Sequence, residues 1–175
     1  MAKEKKAKVK AKRKARKKLA KPPAAGRGAA RPLPRHRQYG AVPLRFGARD
    51  QLEVLLVTSR GTGRWVIPKG WPMRNRTPAG TARREAYEEA GVKGRLLSKR
   101  PVGTYRYFKE DESFSGEILV RVFLLAVEQQ KKDWPERGER RSRWFTVRAA
   151  AALVKERDLA RLLRSVPDML VHSGR

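Results

Sequence analysis

Residues Gly70–Val92 read GWPMRNRTPAGTARREAYEEAGV, and the second half of this segment predicts a helix with both ends marked. The hydroxyl of Thr77 can accept a backbone N–H of the first turn. Pro78 suits the first helical position, because the N–H that proline lacks would have no partner there. Gly91 can take the left-handed conformation that ends a helix. We therefore expect an irregular loop followed by a helix from Pro78 to about Ala90.

Three carboxylates lie within five residues of this predicted helix, at Glu85, Glu88 and Glu89. At about 100° per residue, they fall within an arc of roughly 100° on one helical face. Like charges this close destabilise a helix by a few tenths of a kcal/mol per pair, roughly. A hard divalent cation such as Mg²⁺ or Mn²⁺ would relieve the repulsion through oxygen ligands. The alternative is a solvated acidic face on which Arg84 pairs with Glu88, four residues further on.

Upstream of the helix, short apolar runs separated by turn residues predict strands. YGAVPLRF (39–46) and LEVLLVTS (52–59) flank GARDQ, which is typical of a hairpin. Pro43 predicts that the first of these strands lies at a sheet edge or contains a bulge. The turn RGTGR then leads into WVIP, a short strand that Pro68 ends, and we interpret the GxG in this turn as a plain turn and not as a phosphate loop.

Downstream of the helix, the pattern predicts more strands and a helical C-terminal segment. VGTYRYF (102–108), EILVRVFLLAVE (117–128) and RWFTV (143–147) are predicted strands. The second is almost continuously apolar, which is typical of a central strand covered on both faces. RAAAALVKERDLARLLRSV (148–166) has apolar residues at helical spacing and predicts one or two packed helices. Strands with helices between and after them predict a layered α/β domain.

The N-terminal residues differ in composition from the rest of the 175-residue chain. Residues 1–37 contain 16 Lys or Arg against Glu4 alone, a formal charge of +15, which leaves +12 of the total of +27 for the remainder. A segment with this much charge has too few apolar residues to fold alone. We therefore expect a disordered basic tail followed by a Pro/Gly linker. We therefore predict a tail at 1–37 and one domain at 38–175. A mitochondrial presequence is a weaker alternative, because such presequences are richer in Arg and Ser than in Lys.

Composition also limits the function class. The chain has no cysteine, which excludes a disulfide framework and a thiolate metal site. It has no apolar run of about 18 residues and no N-terminal signal-type apolar stretch, so we predict a soluble cytoplasmic protein with no membrane partner. The positive charge of the domain either favours anionic ligands such as phosphates or only aids solubility. The tail could bind nucleic acid or another polyanion without sequence specificity.

With the spacing of its fixed residues, Gly70–Val92 resembles the Nudix box, the family pattern G-x5-E-x7-R-E-U-x-E-E-x-G-U in which U is aliphatic. One fixed position departs from the pattern, because Arg76 stands where the family has the first glutamate. That departure puts the geometry of the loop in question more than the activity, and an inactive, nucleic-acid-binding relative is the alternative it leaves open. The matching residues are Gly70, Arg84, Glu85, Ala86, Glu88, Glu89, Gly91 and Val92.

Beyond the box, the sequence is similar to the diphosphoinositol polyphosphate and diadenosine polyphosphate hydrolases over about Tyr39 to Leu163, in VLLVTSR, RWVIPKG, EEAGVKGRL and DWPERGERRSRWF. The resemblance implies a Nudix fold, with a mixed sheet between helices, and metal-dependent hydrolysis of a phosphoanhydride bond in a nucleoside polyphosphate or an inositol pyrophosphate. Trp71 replaces a family glycine; it either packs or stacks on a base, which favours diadenosine polyphosphates. The basic tail motivates the alternative of an RNA 5′-pyrophosphohydrolase or decapping enzyme.

The resemblance also implies roles for individual residues. Glu88 would be the general base, and Glu85, Glu89 and the Gly70 carbonyl would bind Mg²⁺ or Mn²⁺, with Arg84 and Gly91 in structural roles. Guanidinium and ammonium groups near the helix start suit phosphate oxygens. The predicted substrate-binding residues are Lys69, Arg60 and Trp71, with Arg45, Arg64 and Arg106 as secondary candidates whose alternative is plain surface charge.

Overall fold

The computed structural model describes residues 36–172. Apart from His36 and Arg37, which begin the first strand, the predicted basic tail lies outside these residues. Within residues 36–172, no helix is long and apolar enough to cross a membrane. The strands are β1 (His36–Phe46), β2 (Leu52–Thr58), β3 (Trp65–Val66), β4 (Lys69–Gly70), β5 (Val92–Leu96), β6 (Gly103–Glu110), β7 (Ser115–Gln130) and β8 (Ser142–Thr146), and the helices are α1 (Pro78–Ala90), α2 (Val147–Leu153) and α3 (Arg157–His172).

The eight strands of residues 36–172 form one mixed sheet around β1 and β7. These two strands run parallel, with His36 opposite Ile118 and Leu44 opposite Ala126. β2 pairs antiparallel with β1 and with β8, so the predicted hairpin around Gly47 is confirmed. β5 and β6 both pair antiparallel with β7. The sheet is therefore mixed, as expected from the resemblance.

Helices cover both faces of the sheet and make a three-layer domain. Along β2 the buried residues alternate, because successive side chains of a strand point to opposite faces. Val54 and Leu56 join the core beneath α2 and α3, whereas Leu55 and Val57 join the core beneath α1. β7 contributes buried residues to both cores, which confirms its prediction as a doubly covered central strand. The α/β class is therefore confirmed.

Helix α1 begins and ends at the predicted residues. The hydroxyl oxygen of Thr77 accepts a hydrogen bond from the N–H of Gly80 at 3.0 Å, and Pro78 is the first helical residue. Gly91 ends the helix at φ 69°, in the left-handed region. A β-carbon at this position would also lie 2.7 Å from the ring of Trp134. Both the backbone conformation and the packing therefore require glycine here.

The prediction that Pro43 places the first strand at an edge or bulge is wrong, because β1 lies inside the sheet. On the side away from β7, β1 has two successive neighbours. Gly40 pairs with Lys69 of β4, and Leu44 pairs with Val54 of β2. Pro43 lies between these two pairings. A central strand tolerates this proline because its missing N–H falls at the break between two neighbours.

Strand β5 was not predicted from the sequence. Its residues VKGRL are mostly polar and do not alternate, and a bulge shifts the register between Lys93 and Gly94. Gly94 is needed at that point, since a β-carbon there would lie 1.9 Å from the carbonyl oxygen of Ala126. The strand forms because β7 offers a long edge for pairing, and this is not visible in the local sequence.

Candidate active site

A cavity of about 860 Å³ lies between the acidic face of α1, strands β4 and β6, and the loops that follow β2 and β7. We call this cavity the cleft. It brings together residues that are up to 118 positions apart in sequence, from Gln38 to Glu156. The predicted site residues that line it are Arg60, Arg64, Lys69, Gly70, Trp71, Glu85, Glu88 and Glu89.

Glu85 lies directly against the backbone of β4. A β-carbon at Gly70 would come within 2.0 Å of Oε1 of Glu85, so only glycine lets this carboxylate reach the strand. Burial, followed by the charges of Glu89, Glu88 and Glu136, raises the pKa of Glu85 to about 7. The site therefore holds a carboxylate among like charges, where a cation would favour its ionised form.

Glu89 is the most buried carboxylate of the three, with 3 % of its surface exposed. Its Oε2 accepts a hydrogen bond from the backbone N–H of Lys69 at 3.1 Å, and its Oε1 lies 2.6 Å from Nη2 of Arg140. Burial raises the pKa of Glu89, and the positive charges of Lys69 and Arg140 oppose that rise. Each carboxylate oxygen has a second lone pair, so these contacts leave capacity to bind a cation.

Glu88 lies at the accessible side of the cleft. Its Oε1 accepts a hydrogen bond from Nε of Arg84 at 2.6 Å, in the pairing expected of an i, i+4 pair. The backbone carbonyl of Glu88 accepts a hydrogen bond from the N–H of Glu136 at 3.0 Å, which attaches the loop after β7 to the helix. The carboxylate is therefore oriented by Arg84 and still reaches the cleft.

The three cationic candidates in the cleft differ in environment. Lys69 is partly buried, with Nζ 5.3 Å from the ring centre of Tyr107, and burial lowers the pKa of this amine. Nη1 of Arg64 donates to Glu156 at 3.2 Å. Arg60 is 60 % exposed and donates to Glu139 at 2.9 Å. The arginines are thus held by carboxylates at the cleft edge.

Two secondary candidates, Arg45 and Arg106, do not line the cleft. Nε of Arg45 donates to Glu53 at 2.7 Å, and its guanidinium lies 4.2 Å from the ring centre of Trp144. Nη1 of Arg106 donates to Glu117 at 3.4 Å on the neighbouring strand β7. Each arginine contacts a cross-strand neighbour on its own part of the sheet, and the structure does not bring either one to the site.

Sequence reasoning missed several cleft residues outside the box. Arg140 has only 7 % of its side chain exposed and contacts Glu89, Glu136 and the carbonyl oxygen of Thr58. The side chains of Lys155 and Glu156 enter from the segment between α2 and α3. The run GERRSRW contributes to the family resemblance, but no local pattern distinguishes Arg140 from the arginine that follows it.

Trp71 lies at the rim of the cleft beside other aromatic residues. It is 39 % exposed, and its ring makes edge contacts with Phe114 and His36 at centroid distances of 5.7 and 6.3 Å. Phe108, which also lines the cleft, is 60 % exposed. Trp71 is therefore partly packed and partly available to a ligand.

The donor set fits a hard divalent ion that shares its coordination with the substrate. Among residues 36–172, no three His, Asp or Glu side chains form a closed metal-binding group. Mg²⁺ does not need one, because it retains water and binds one or two carboxylates together with substrate phosphates. The raised pKa of Glu85, caused by burial and by its acidic neighbours, indicates that positive charge placed beside this carboxylate would be stabilising.

We expect the stability of the metal-free protein to fall as the pH rises. The pKa of Glu85 is about 7 in the folded protein against an ordinary 4.5. Between these values the folded state retains a proton that the unfolded chain has lost, so the free energy of unfolding decreases from about pH 4.5 to 7. Urea unfolding in EDTA should show this slope, and Glu85→Gln should reduce it. Glu112→Gln, which changes an exposed carboxylate, is the control; equal slopes in both variants would contradict the prediction.

Proteins of similar sequence are known from plants and animals. The sequence model of the NUDIX domain matches residues 34–166. The chain is 37% identical over 127 residues to "Nudix hydrolase 12, mitochondrial" of Arabidopsis thaliana, covering 68% of this chain and 62% of that protein. It is 34% identical over 118 residues to human "Diphosphoinositol polyphosphate phosphohydrolase 3-alpha", covering 66% and 68%. The chain thus spans somewhat less than two thirds of the length of the plant relative.

Solved structures with the same fold are more distant in sequence. The structure of a C. elegans Ap4A hydrolase binary complex aligns with a TM-score of 0.59 at 20% identity, over 78% of this chain and 98% of that one. The E. coli dihydroneopterin triphosphate pyrophosphohydrolase aligns with a TM-score of 0.55 at 17% identity, over 77% and 96%. At these identities the likeness concerns the fold alone.

Proposed function

Because this chain belongs to the NUDIX domain family, we propose that it hydrolyses a phosphoanhydride bond in a nucleoside polyphosphate with the help of Mg²⁺ or Mn²⁺. Diadenosine polyphosphates are the favoured substrates and inositol pyrophosphates the alternative. The observation that carries the proposal is the convergence of Glu85, Glu88 and Glu89 with Arg60 and Arg64 in one cleft.

The charge of the cleft supports a requirement for metal. Within residues 36–172, seven carboxylates and six cationic side chains line it, so without a metal ion this part of the chain offers a polyanion no net attraction. Glu85, Glu89 and the carbonyl oxygen of Gly70 would hold the ion. When bound, Mg²⁺ supplies positive charge that neutralises phosphate oxygens. The arginines would then bind phosphates that the carboxylates otherwise repel.

Glu88 is proposed to act as the general base. Its carboxylate takes a proton from a water molecule whose oxygen forms the new bond to phosphorus, while the bond from phosphorus to the bridging oxygen breaks and the bridging oxygen leaves with the released phosphate group. Arg84 orients the carboxylate through its hydrogen bond of 2.6 Å. The backbone N–H of Lys69 donates a hydrogen bond to Glu89 and so holds the Glu89 carboxylate beside the general base Glu88.

Aromatic residues at the cleft favour a substrate that contains a nucleobase. Trp71 and Phe108 are both partly exposed there, and such rings can stack on adenine. An inositol ring has no aromatic face and would gain nothing comparable. The name of the human relative contains diphosphoinositol polyphosphate, and the name of the nematode enzyme contains Ap4A.

The proposal is tested with the full chain on four substrates: diadenosine tetraphosphate, an inositol pyrophosphate, ATP and 5′-triphosphate RNA. Release of product should require Mg²⁺ or Mn²⁺, stop in EDTA and be fastest with diadenosine tetraphosphate. Turnover of RNA alone would favour the second candidate, an RNA 5′-pyrophosphohydrolase, which the charge of +15 in residues 1–37 motivates. No turnover of any substrate would leave a nucleic-acid-binding module and overturn the enzymatic proposal.

Trp71→Ala separates the two favoured substrate classes in the same assay. If Trp71 stacks on adenine, the variant should raise KM for diadenosine tetraphosphate by about tenfold, since stacking on an aromatic side chain contributes roughly 1–3 kcal/mol per base. The inositol pyrophosphate should be affected less. Phe46→Ala, a change of an exposed aromatic residue that does not line the cleft, is the control. An unchanged KM would assign Trp71 to packing against Phe114.

We also propose a cytoplasmic location, which rests on the absence of cysteine from the sequence, as is usual in a reducing compartment. The two plant relatives are named mitochondrial. Microscopy of the chain with a C-terminal fluorescent tag tests the proposal, and a mitochondrial signal would overturn it.

A further inference from the structure

A second cavity, of about 470 Å³, lies on another face of α1, between that helix, β5 and the end of β7. Of the residues that the structure describes, none lines both this cavity and the cleft. Its α1 residues, Gly80, Arg83, Arg84 and Tyr87, follow one another at helical spacing and form a stripe separate from the one that carries the three glutamates. We call it the outer cavity.

The outer cavity is strongly positive, in contrast to the cleft. From residues 36–172, four cationic side chains line it, those of Arg76, Arg83, Arg84 and Lys93, against the single carboxylate of Glu128. Among the described residues, no ion pair is found for Arg76, Arg83 or Lys93. Of the four, only Arg84 has an ion-pair partner within residues 36–172, and that partner is Glu88. Charge is therefore available here without a metal ion.

The ring of Tyr87 orders two of these cations. The guanidinium of Arg84 lies 5.3 Å and the amine of Lys93 lies 5.1 Å from the ring centre, both within the range of cation–π contacts. These contacts restrict two long side chains before any ligand arrives, which lowers the entropy lost on binding. Other basic residues of the domain make cation–π contacts as well, and this surface differs from theirs in that its cations line one cavity with little opposing charge.

Arg76 also belongs to this cavity and not to the cleft. It is the residue at which the sequence departs from the family pattern, where a glutamate is expected. A glutamate here would reduce the excess of positive charge, whereas arginine increases it. The departure therefore changes the outer cavity and leaves the set of cleft residues intact.

We propose that the outer cavity is a metal-independent binding site for adjacent phosphate groups, separate from the proposed hydrolytic site. Arginine forks match phosphate oxygens, and lysine adds a point charge. Several cations around one cavity suit a ligand with more than one phosphate, such as a free polyphosphate or the backbone of a single-stranded nucleic acid. These two sources share the same chemistry, and experiment can distinguish them.

The test is titration of the ¹⁵N-labelled full chain with inorganic tripolyphosphate in EDTA, followed by NMR. The amide signals of Gly80 and Gly94 should shift and saturate, whereas those of Gly61 and Gly70, which line the cleft, should not. The double variant Arg83→Gln with Lys93→Gln should weaken binding at least about tenfold, which corresponds to about 1.4 kcal/mol. Its hydrolytic activity should stay within about twofold of wild type, about 0.4 kcal/mol.

A matched double variant, Arg95→Gln with Lys99→Gln, removes the same charge from exposed residues that do not line the cavity. It should weaken binding less than about twofold, which is about 0.4 kcal/mol. Equal weakening in both double variants, shifts confined to the cleft glycines, or no saturation would each overturn the proposal.

A second titration uses a single-stranded RNA of ten nucleotides with a 5′ hydroxyl. Matching shifts at Gly80 and Gly94 would identify a polynucleotide backbone as a ligand, and their absence would assign the site to free polyphosphate.

Discussion

Glu88→Gln should lower kcat by about 10² to 10⁴, the usual contribution of a general base. The amide cannot take up the proton of the attacking water. Its oxygen can still accept the hydrogen bond from Arg84, so the geometry of the helix should be kept. KM should change little, because the substitution acts on the reaction step. Steady-state kinetics on the best substrate, with saturating Mg²⁺, provide the measurement.

Glu110→Gln is the matched control for charge, since Glu110 is an exposed carboxylate of the same cleft. Its kcat should remain within a few-fold of wild type. The pair of Arg84 and Glu88 is partly exposed, so Glu88→Gln should change the free energy of unfolding by less than about 1 kcal/mol. Near-normal turnover in Glu88→Gln, with a large loss in Glu85→Gln, would move the role of base to Glu85.

Arg140→Met should destabilise the protein by about 3–5 kcal/mol at pH 7, because it leaves the buried carboxylate of Glu89 without its closest cation. Methionine keeps much of the length of the side chain, so the loss comes from charge and hydrogen bonds more than from volume. The hydrogen bond to the carbonyl of Thr58, which attaches the loop to β2, is lost as well. Urea unfolding followed by circular dichroism measures the change.

The effect of Arg140→Met should also depend on pH. Burial already raises the pKa of Glu89, and removal of Arg140 should raise it further. A raised pKa means that the folded state binds a proton, so the penalty shrinks as the pH falls and Glu89 becomes neutral. Arg141→Met, at an exposed neighbour beside Trp65, should stay within about 0.5 kcal/mol of wild type. Because breaking a buried ion pair usually costs several kcal/mol, two results would contradict this account. One is a decrease in the free energy of unfolding of less than about 1 kcal/mol in Arg140→Met, and the other is a decrease that does not depend on pH.

Much of the fold follows from signals that act over a few residues. Thr77 and Gly91 mark the ends of α1 because capping hydrogen bonds and left-handed conformations are properties of single residues and one adjacent turn. Strand β7 was predicted as central because a nearly continuous apolar run must be covered on both faces. The placement of Pro43 failed for the opposite reason, since the number of neighbours that a strand has is not a local property.

By itself, the sequence determined the layered α/β fold, the bounds of α1 and the presence of its three carboxylates on one face. Only the tertiary structure decided which polar residues join them. Arg140 meets Glu89 across 51 positions of the chain, whereas Arg45 and Arg106 contact neighbours on the sheet and do not reach the cleft. Local patterns report backbone conformation and burial, but contacts between charged side chains depend on how distant segments pack, and nearly identical arginines then meet different partners.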